Sequence, residues 1–354
     1  MNLYPDILFA NKRIRPHILQ TALFPSNYLS DLSDGKVFLK LESEQYTGSF
    51  KARGALNKIL STPKSEQAKG FMTASTGNHA QGFARALQIA GAEGTIYLPE
   101  GASPAKVKAL RSYPAELKFH GTDPLTTELF AKKTAEETGK IWVSPYNDPA
   151  IIAGQGTMAL EICEQTNTPI DYVLGCVGGG GMMAGVSTYL KTATPNTQVI
   201  GCLPENSPEM YLSVQKGEVV VIEDGLDTLS DGSAGGLEVD SITYDICRDL
   251  IDDYCLISET EIAACIKLIA EQHHKIIEGA AAVAVASFLK QIEHYKGKTV
   301  VIIICGANIS MKKFVEIMGL EEKSYLRLPS RAFWRKLAKN EHRDTEHTET
   351  YFTL

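Results

Sequence analysis

Short apolar runs recur along this chain, and a stretch with helical periodicity follows almost every one. Val37–Leu41 (VFLKL) reads as a strand and Phe50–Leu60 as a helix. Gly70–Ser75 precedes the helix-like GNHAQGFARALQIAG, Thr95–Leu98 precedes PAKVKALRSY, and Ile141–Val143 precedes AIIAGQGTMALEICEQ. Tyr172–Val177 runs into four glycines and then a helix, and Thr299–Cys305 into a last short helix, SMKKFVEIM. Buried strands separated by crossover helices build parallel sheets, so the expected fold class is α/β. At 354 residues the chain is long enough for two such lobes.

Charge and cysteine usage exclude several function classes. The net charge of −7 gives no general attraction to nucleic acid or to an anionic membrane. No apolar run approaches the ~18 residues of a membrane span, and the N-terminus lacks the apolar core of a signal peptide. The seven cysteines are scattered and form no CxxC pair. That pattern suits reduced thiols in the cytoplasm and speaks against a disulfide framework or a zinc cluster. The segment Arg331–Leu354 reads as a solvated surface helix with a frayed end.

Four places carry chemistry. Gly178, Gly179, Gly180 and Gly181 sit between a strand and a helix, where backbone N–H groups and the helix dipole form a phosphate cradle. The plainer reading is a tight turn, for which one or two glycines suffice. Lys51 falls in the first turn of a helix shared with Arg53 and Lys58. Clustered positive charge and partial burial lower a lysine's pKa and free a nucleophile, whereas most lysines face solvent. Ser75, Thr76, Gly77, Asn78 and His79 stand between a strand and a helix, suiting a carboxylate or a ring oxygen. Ser75 or Thr76 as a helix cap is the alternative, and His79 as a structural histidine. Cys305 ends an apolar strand and faces either a crevice or the core.

Together these segments resemble the fold type II pyridoxal-phosphate (PLP) enzymes of the threonine dehydratase and serine racemase group. The lysine motif stands as KLESEQYTGSFKARGA at 40–55, and the asparagine loop as STGNHAQG at 75–82. The I-A-G-Q-G-T helix start is Ile152–Thr157, and the glycine loop is VGGGGMMAG at 177–185. IEGAAAVAVA at 277–286 and CGAN at 305–308 complete the series, collinear over roughly residues 14–320. The resemblance implies a role for each matching residue. Lys51 would form the Schiff base with PLP, Phe50 would pack beside the ring, and Asn78 would bond the ring 3-oxygen. Gly178 to Gly181 and the Met182 N–H would hold the phosphate, and Cys305 would face the pyridine nitrogen. Ser75, Thr76, Asn78 and His79 would receive the substrate carboxylate, with Lys51 and Thr76 as the catalytic pair. It also implies two parallel-sheet lobes of the tryptophan-synthase-β kind: residues 1–60 with 151–324, a smaller lobe at 61–150, and a tail at 325–354. A homodimer or higher homo-oligomer, an amino acid substrate and a cytoplasmic location follow as expectations.

The implied activity is that of an L-threonine/L-serine ammonia-lyase. Serine racemase is the alternative, as is a dehydratase of 3-hydroxyaspartate or of a hydroxyectoine-derived amino acid. Departures from the group pattern bear on that choice. Racemases carry a serine where Thr76 stands and an arginine near Thr127, where this chain reads LTTE. Cys305 replaces a common serine, and DGSAGGLEVD at 231–240 departs from the usual loop. Many members bind a divalent cation through a glutamate at the position of Leu203, so no metal is expected here. Glu205 and Glu209 nearby read as a solvated helix start.

Overall fold

Parallel pairing dominates, as strands alternating with helices require. The computed structural model describes residues 2–319, apart from 123, 223 and 224; the segment 325–354 lies outside the described residues. Its strands are β1 (Leu23–Pro25), β2 (Lys36–Lys40), β3 (Phe71–Ala74), β4 (Gly94–Leu98), β5 (Glu116–Phe119), β6 (Ile141–Trp142), β7 (Tyr172–Cys176), β8 (Gln198–Pro204), β9 (Asp253–Ile257) and β10 (Thr299–Ile303). One sheet has the order β1-β2-β10-β7-β8-β9, parallel except for β1 against β2. The other has the order β5-β4-β3-β6 and is parallel throughout. Residues 310–319 belong to a separate unit, in which Ser310 caps the helix Met311–Ile317. Among the described residues no helix is long and apolar enough to cross a membrane.

The apolar runs named above all became strands, within a residue or two at each end. Strands β1, β5, β8 and β9 are additional, and all but β8 are edge strands. β5 (ELKF) is mostly exposed, so it carries none of the buried apolar signal that marks a central parallel strand. β9 lies at the opposite edge of the large sheet and begins with a charged residue.

Sheet order decides which loops meet. β2, β10 and β7 are neighbours and run the same way. The loops beyond their carboxyl ends lead to Lys51, to Cys305 and to the glycine run, which emerge side by side. Close helix packing supports this face. Gly154, in the helix Pro149–Gln165, meets Gly54 in the helix Lys51–Ser61, where a Cβ on Gly154 would lie 2.6 Å from the Gly54 Cα.

Beneath the lysine helix lies a fully buried ion network. Arg53 Nε donates to Glu42 Oε2 at 2.7 Å and its Nη2 to Glu161 Oε2 at 2.8 Å. Lys40 Nζ donates to the same Glu161 oxygen at 2.7 Å, and the Thr21 hydroxyl to Glu42 Oε1 at 2.5 Å. Burial opposes the charge on Glu42, yet the Arg53 guanidinium outweighs it and holds the carboxyl below its ordinary range. Burial lowers Lys40 despite its two acidic partners. Removing one member of such a network leaves buried charge unpaired. Arg53→Met is expected to cost about 3–5 kcal/mol of stability. Urea unfolding of the cofactor-free protein measures this, and Arg53→Lys should recover less than half, because an ammonium cannot bridge two carboxylates as a fork does.

Candidate active site

Lys51 is the first residue of its helix and is half-buried. Its Nζ donates to the Pro145 carbonyl at 2.8 Å and sits 5.3 Å from the centre of the Phe50 ring. Burial lowers its pKa to about 8, while the charges of Cys305, Glu278 and Glu128 resist the shift. Of the two expected causes, burial acts and the cluster of positive charge does not. Arg53 turns into the ion network below, and Lys58 pairs with Asp148 at 2.5 Å.

The asparagine loop leads from β3 into the helix Asn78–Ala90. Neither Ser75 nor Thr76 caps that helix. Gly77 is the N-cap, and the Ser75 hydroxyl accepts instead from the Gly77 N–H at 3.2 Å. The first N–H groups of the helix are left without a side-chain cap, and such a terminus attracts an anion. His79 points its ring away from this loop into the core. Its Nε2 lies 3.0 Å from the Thr73 hydroxyl and 3.1 Å from the Val143 carbonyl. Burial, helped by the charge of Lys51, drives its pKa down to about 3, so the ring is neutral. Only its backbone N–H faces an anion at the helix start.

Two site residues escaped sequence reasoning, although both stand in the motifs quoted above. Asn78 Nδ2 donates to Glu278 Oε1 and Oε2 at 2.9 and 3.1 Å, and Asn308 Nδ2 donates to Asn78 Oδ1 at 2.6 Å. The Asn308 N–H donates to Glu278 Oε2 at 3.0 Å, and the Cys305 thiol lies 4.0 Å from Glu278 Oε1. Burial raises Glu278 to about 7 against the pull of these hydrogen bonds. Burial, reinforced by Glu278, lifts the Cys305 thiol well above its ordinary value, so it stays protonated.

The glycine run bends between β7 and the helix Gly181–Ala193. Gly180 is the N-cap, with φ +82 and no side-chain cap. A Cβ on Gly179 would lie 2.6 Å from the Tyr146 ring, and Gly178 and Gly181 press equally closely on Ser233 and Tyr146. Packing disfavours a side chain at Gly178, Gly179 and Gly181, and the positive φ does so at Gly180, so this turn uses all four glycines rather than one or two. The uncapped N–H groups, rather than the glycine count, mark the anion site. The segment 231–240 lines this same place. Its Ser233 covers Gly178, and its Glu238 N–H donates to the Tyr146 hydroxyl at 2.8 Å. Leu203 is buried in β8. Glu209 is not solvated as expected: it is buried and accepts from the Ser207 hydroxyl at 2.6 Å. Glu205 is on the surface beside Lys290.

An amine of lowered pKa, an uncapped helix start at the glycine run and a neutral thiol beside the buried Glu278 fit the three ends of PLP. The sequence model described as "Pyridoxal-phosphate dependent enzyme" matches residues 14–306. The chain belongs to that family. The catabolic L-threonine dehydratase TdcB of Escherichia coli K12 is 37% identical over 322 residues, covering 89% of this chain and 95% of that protein. The beta-hydroxyaspartate dehydratase of Paracoccus denitrificans is 36% identical over 313 residues, covering 88% and 97%. Among solved structures, the processed threonine deaminase isoform 2 of Solanum lycopersicum superposes with a TM-score of 0.85 at 34% identity, covering 90% and 88%.

With Lys51 as the attachment residue that the family resemblance implies, its low pKa sets how fast cofactor-free protein takes up PLP. Only the free amine attacks an aldehyde, and its fraction rises as pH climbs through the folded-state pKa. The rate of covalent attachment, followed by visible absorbance, should rise to a plateau with a midpoint near pH 8. An unperturbed lysine would go on rising toward about pH 10.4.

Proposed function

We propose that this PLP enzyme is an ammonia-lyase that converts L-threonine, L-serine or a similar β-hydroxy amino acid to a 2-keto acid and ammonia. One juxtaposition carries the reading: a half-buried, easily deprotonated Lys51 amine stands beside an uncapped helix start with free N–H groups. Similarity to a threonine dehydratase and a threonine deaminase over most of the chain supports it.

PLP, when bound, supplies the electron sink for the carbanion at the substrate α-carbon. The residues of the chain do the rest. The hydroxyls of Ser75 and Thr76 and the backbone N–H groups of Asn78 and His79 bind and orient the substrate carboxylate. The N–H groups of the 178–182 loop hold the cofactor phosphate, with Phe50 beside the ring and Asn78 at the ring oxygen. Lys51 takes the α-proton and holds it at Nζ, with the Pro145 carbonyl as the acceptor that fixes its position. Cys305, kept neutral by burial, offers the ring nitrogen only a weak partner. The reading divides residues 2–309 into a lobe of 2–60 with 151–309 and a smaller lobe of 61–150, because the strands of the four-stranded sheet come only from the latter. By likeness to the family it also takes the enzyme as a cytoplasmic homo-oligomer.

Serine racemase remains the second reading. Racemisation needs an acid on the face of the substrate opposite Lys51, and Thr76 is the hydroxyl at hand. Its β-branch restricts its rotamers, which favours elimination. With L-serine, pyruvate should therefore form faster than D-serine, as measured by coupled pyruvate assay and chiral chromatography of the same reaction. Lys51→Ala should abolish both keto acid release and the visible cofactor band. Normal turnover in that variant would remove Lys51 from the mechanism.

A further inference from the structure

The helix Pro124–Thr138 and the segment 231–240 meet near Lys51, whose charge acts on Glu128 of that helix, and we take them as one wall of the site. Glu128 and Lys132 lie one turn apart on that helix, hence on one face. Lys132 Nζ reaches Glu238 Oε2 at 2.6 Å, so this face looks onto the 231–240 segment. The Glu238 N–H in turn donates to Tyr146, the residue next to the Pro145 carbonyl that holds Lys51. The wall is therefore joined to the reacting centre by a short run of contacts.

Its charges do not balance. Lys132 serves Glu238 Oε2, while Glu238 Oε1 is buried with no hydrogen-bond partner among the described residues. Glu128 is half-buried, and no hydrogen bond or ion pair satisfies its carboxylate among the described residues. Burial and then the charge of Glu238 raise Glu128 to about 7, with Lys132 and Lys51 pulling the other way. Lys51, once it carries the cofactor, offers no free ammonium. Asp240 is exposed and adds negative charge, and Asp231 has its own partner in Lys106 at 3.9 Å. Two carboxylates thus share one lysine, and the wall lacks one cation.

We propose that Glu128, with the free oxygen of Glu238, selects a β-hydroxy amino acid whose side chain carries a second amino group. The inference rests on the ammonia-lyase reading and narrows it. A distal ammonium would return Glu128 to its charged form and fill the open position at Glu238 Oε1. A distal carboxylate, as in 3-hydroxyaspartate, would meet two like charges in a partly dehydrated site. The chemistry is unchanged by the extra group. The α C–H bond breaks and Lys51 takes the proton. The Cβ–O bond breaks and the hydroxyl leaves as water, taking up the proton that Lys51 holds. The released enamine gains a proton and adds water to give the 2-keto acid and ammonia, without oxidant or reductant. The distal ammonium takes no part.

Isothermal titration calorimetry on the holoenzyme tests this with three L-amino acids that lack a β-hydroxyl: 2,4-diaminobutanoate, 2-aminobutanoate and aspartate. The diamino acid should bind at least tenfold more tightly than the neutral one and at least a hundredfold more tightly than aspartate. Glu128→Gln should shrink the first gap to within threefold, and Glu238→Gln should narrow it as well. Equal affinity for the diamino and neutral ligands, or tightest binding of aspartate, overturns the proposal. The ranking in the unsubstituted enzyme decides this even if a variant fails to fold. It also separates the two readings: absence of keto acid from every β-hydroxy amino acid sinks the lyase assignment, whereas the ligand ranking judges the wall by itself.

Discussion

Arg53 is the residue on which the position of the reactive lysine depends. It lies two residues after Lys51 on the same helix, with its guanidinium held between Glu42 and Glu161. Glu42 follows β2, and Glu161 lies in the helix Pro149–Gln165. One planar cation thus ties the strand, the lysine helix and a second helix together below the site. Net stabilisation from such a buried network is modest, because desolvation offsets most of the attraction. Its effect is geometric: a fork of fixed shape between two carboxylates admits one register of the lysine helix.

Above that anchor the site is assembled from two helix starts that lack side-chain caps. In each, a glycine stands at the N-cap, Gly77 for the asparagine loop and Gly180 for the glycine run. Capping side chains would have satisfied the N–H groups that an anionic ligand needs. Lys51 is placed among groups that burial has made weakly charged: Glu278 and Glu128 raised, His79 lowered, Cys305 protonated. Such a low-dielectric setting strengthens each interaction with a charged ligand. Position relative to Lys51 then separates their tasks. Glu278 is held by Asn78 and Asn308 at one end, and Glu128 and Glu238 stand on the far wall.

The α/β class and most of the central strands were legible in the sequence because strands such as β7 and β10 are buried on both faces and read as apolar runs. Edge strands such as β5 were not, since an exposed strand has no such run. Lys51, Asn78 and the glycine run were legible as motifs. Glu278 was present in one of those motifs, but its approach to Asn78 spans two hundred residues of sequence and depends on tertiary contact. The same holds for the cause of the lysine's lowered pKa. Sequence proximity suggested Arg53 and Lys58, whereas folding turned both toward carboxylates elsewhere. His79 illustrates the reverse case, a polar residue in a functional loop whose ring serves the core.

The strand order has a bearing on how the chain is made. β10, near the end of the described chain, is inserted between β2 and β7, and neither of those early strands pairs with the other. The four-stranded sheet uses only residues between 71 and 142 and closes from local segments. During synthesis, therefore, the smaller sheet can form on the ribosome while β2 still exposes an unpaired edge. Lys51 follows β2 and waits with it. β2 gains its partner on that side, and Lys51 its setting beside Cys305, only after residue 305 has left the exit tunnel, so a chain halted upstream of that point carries an unpaired strand edge.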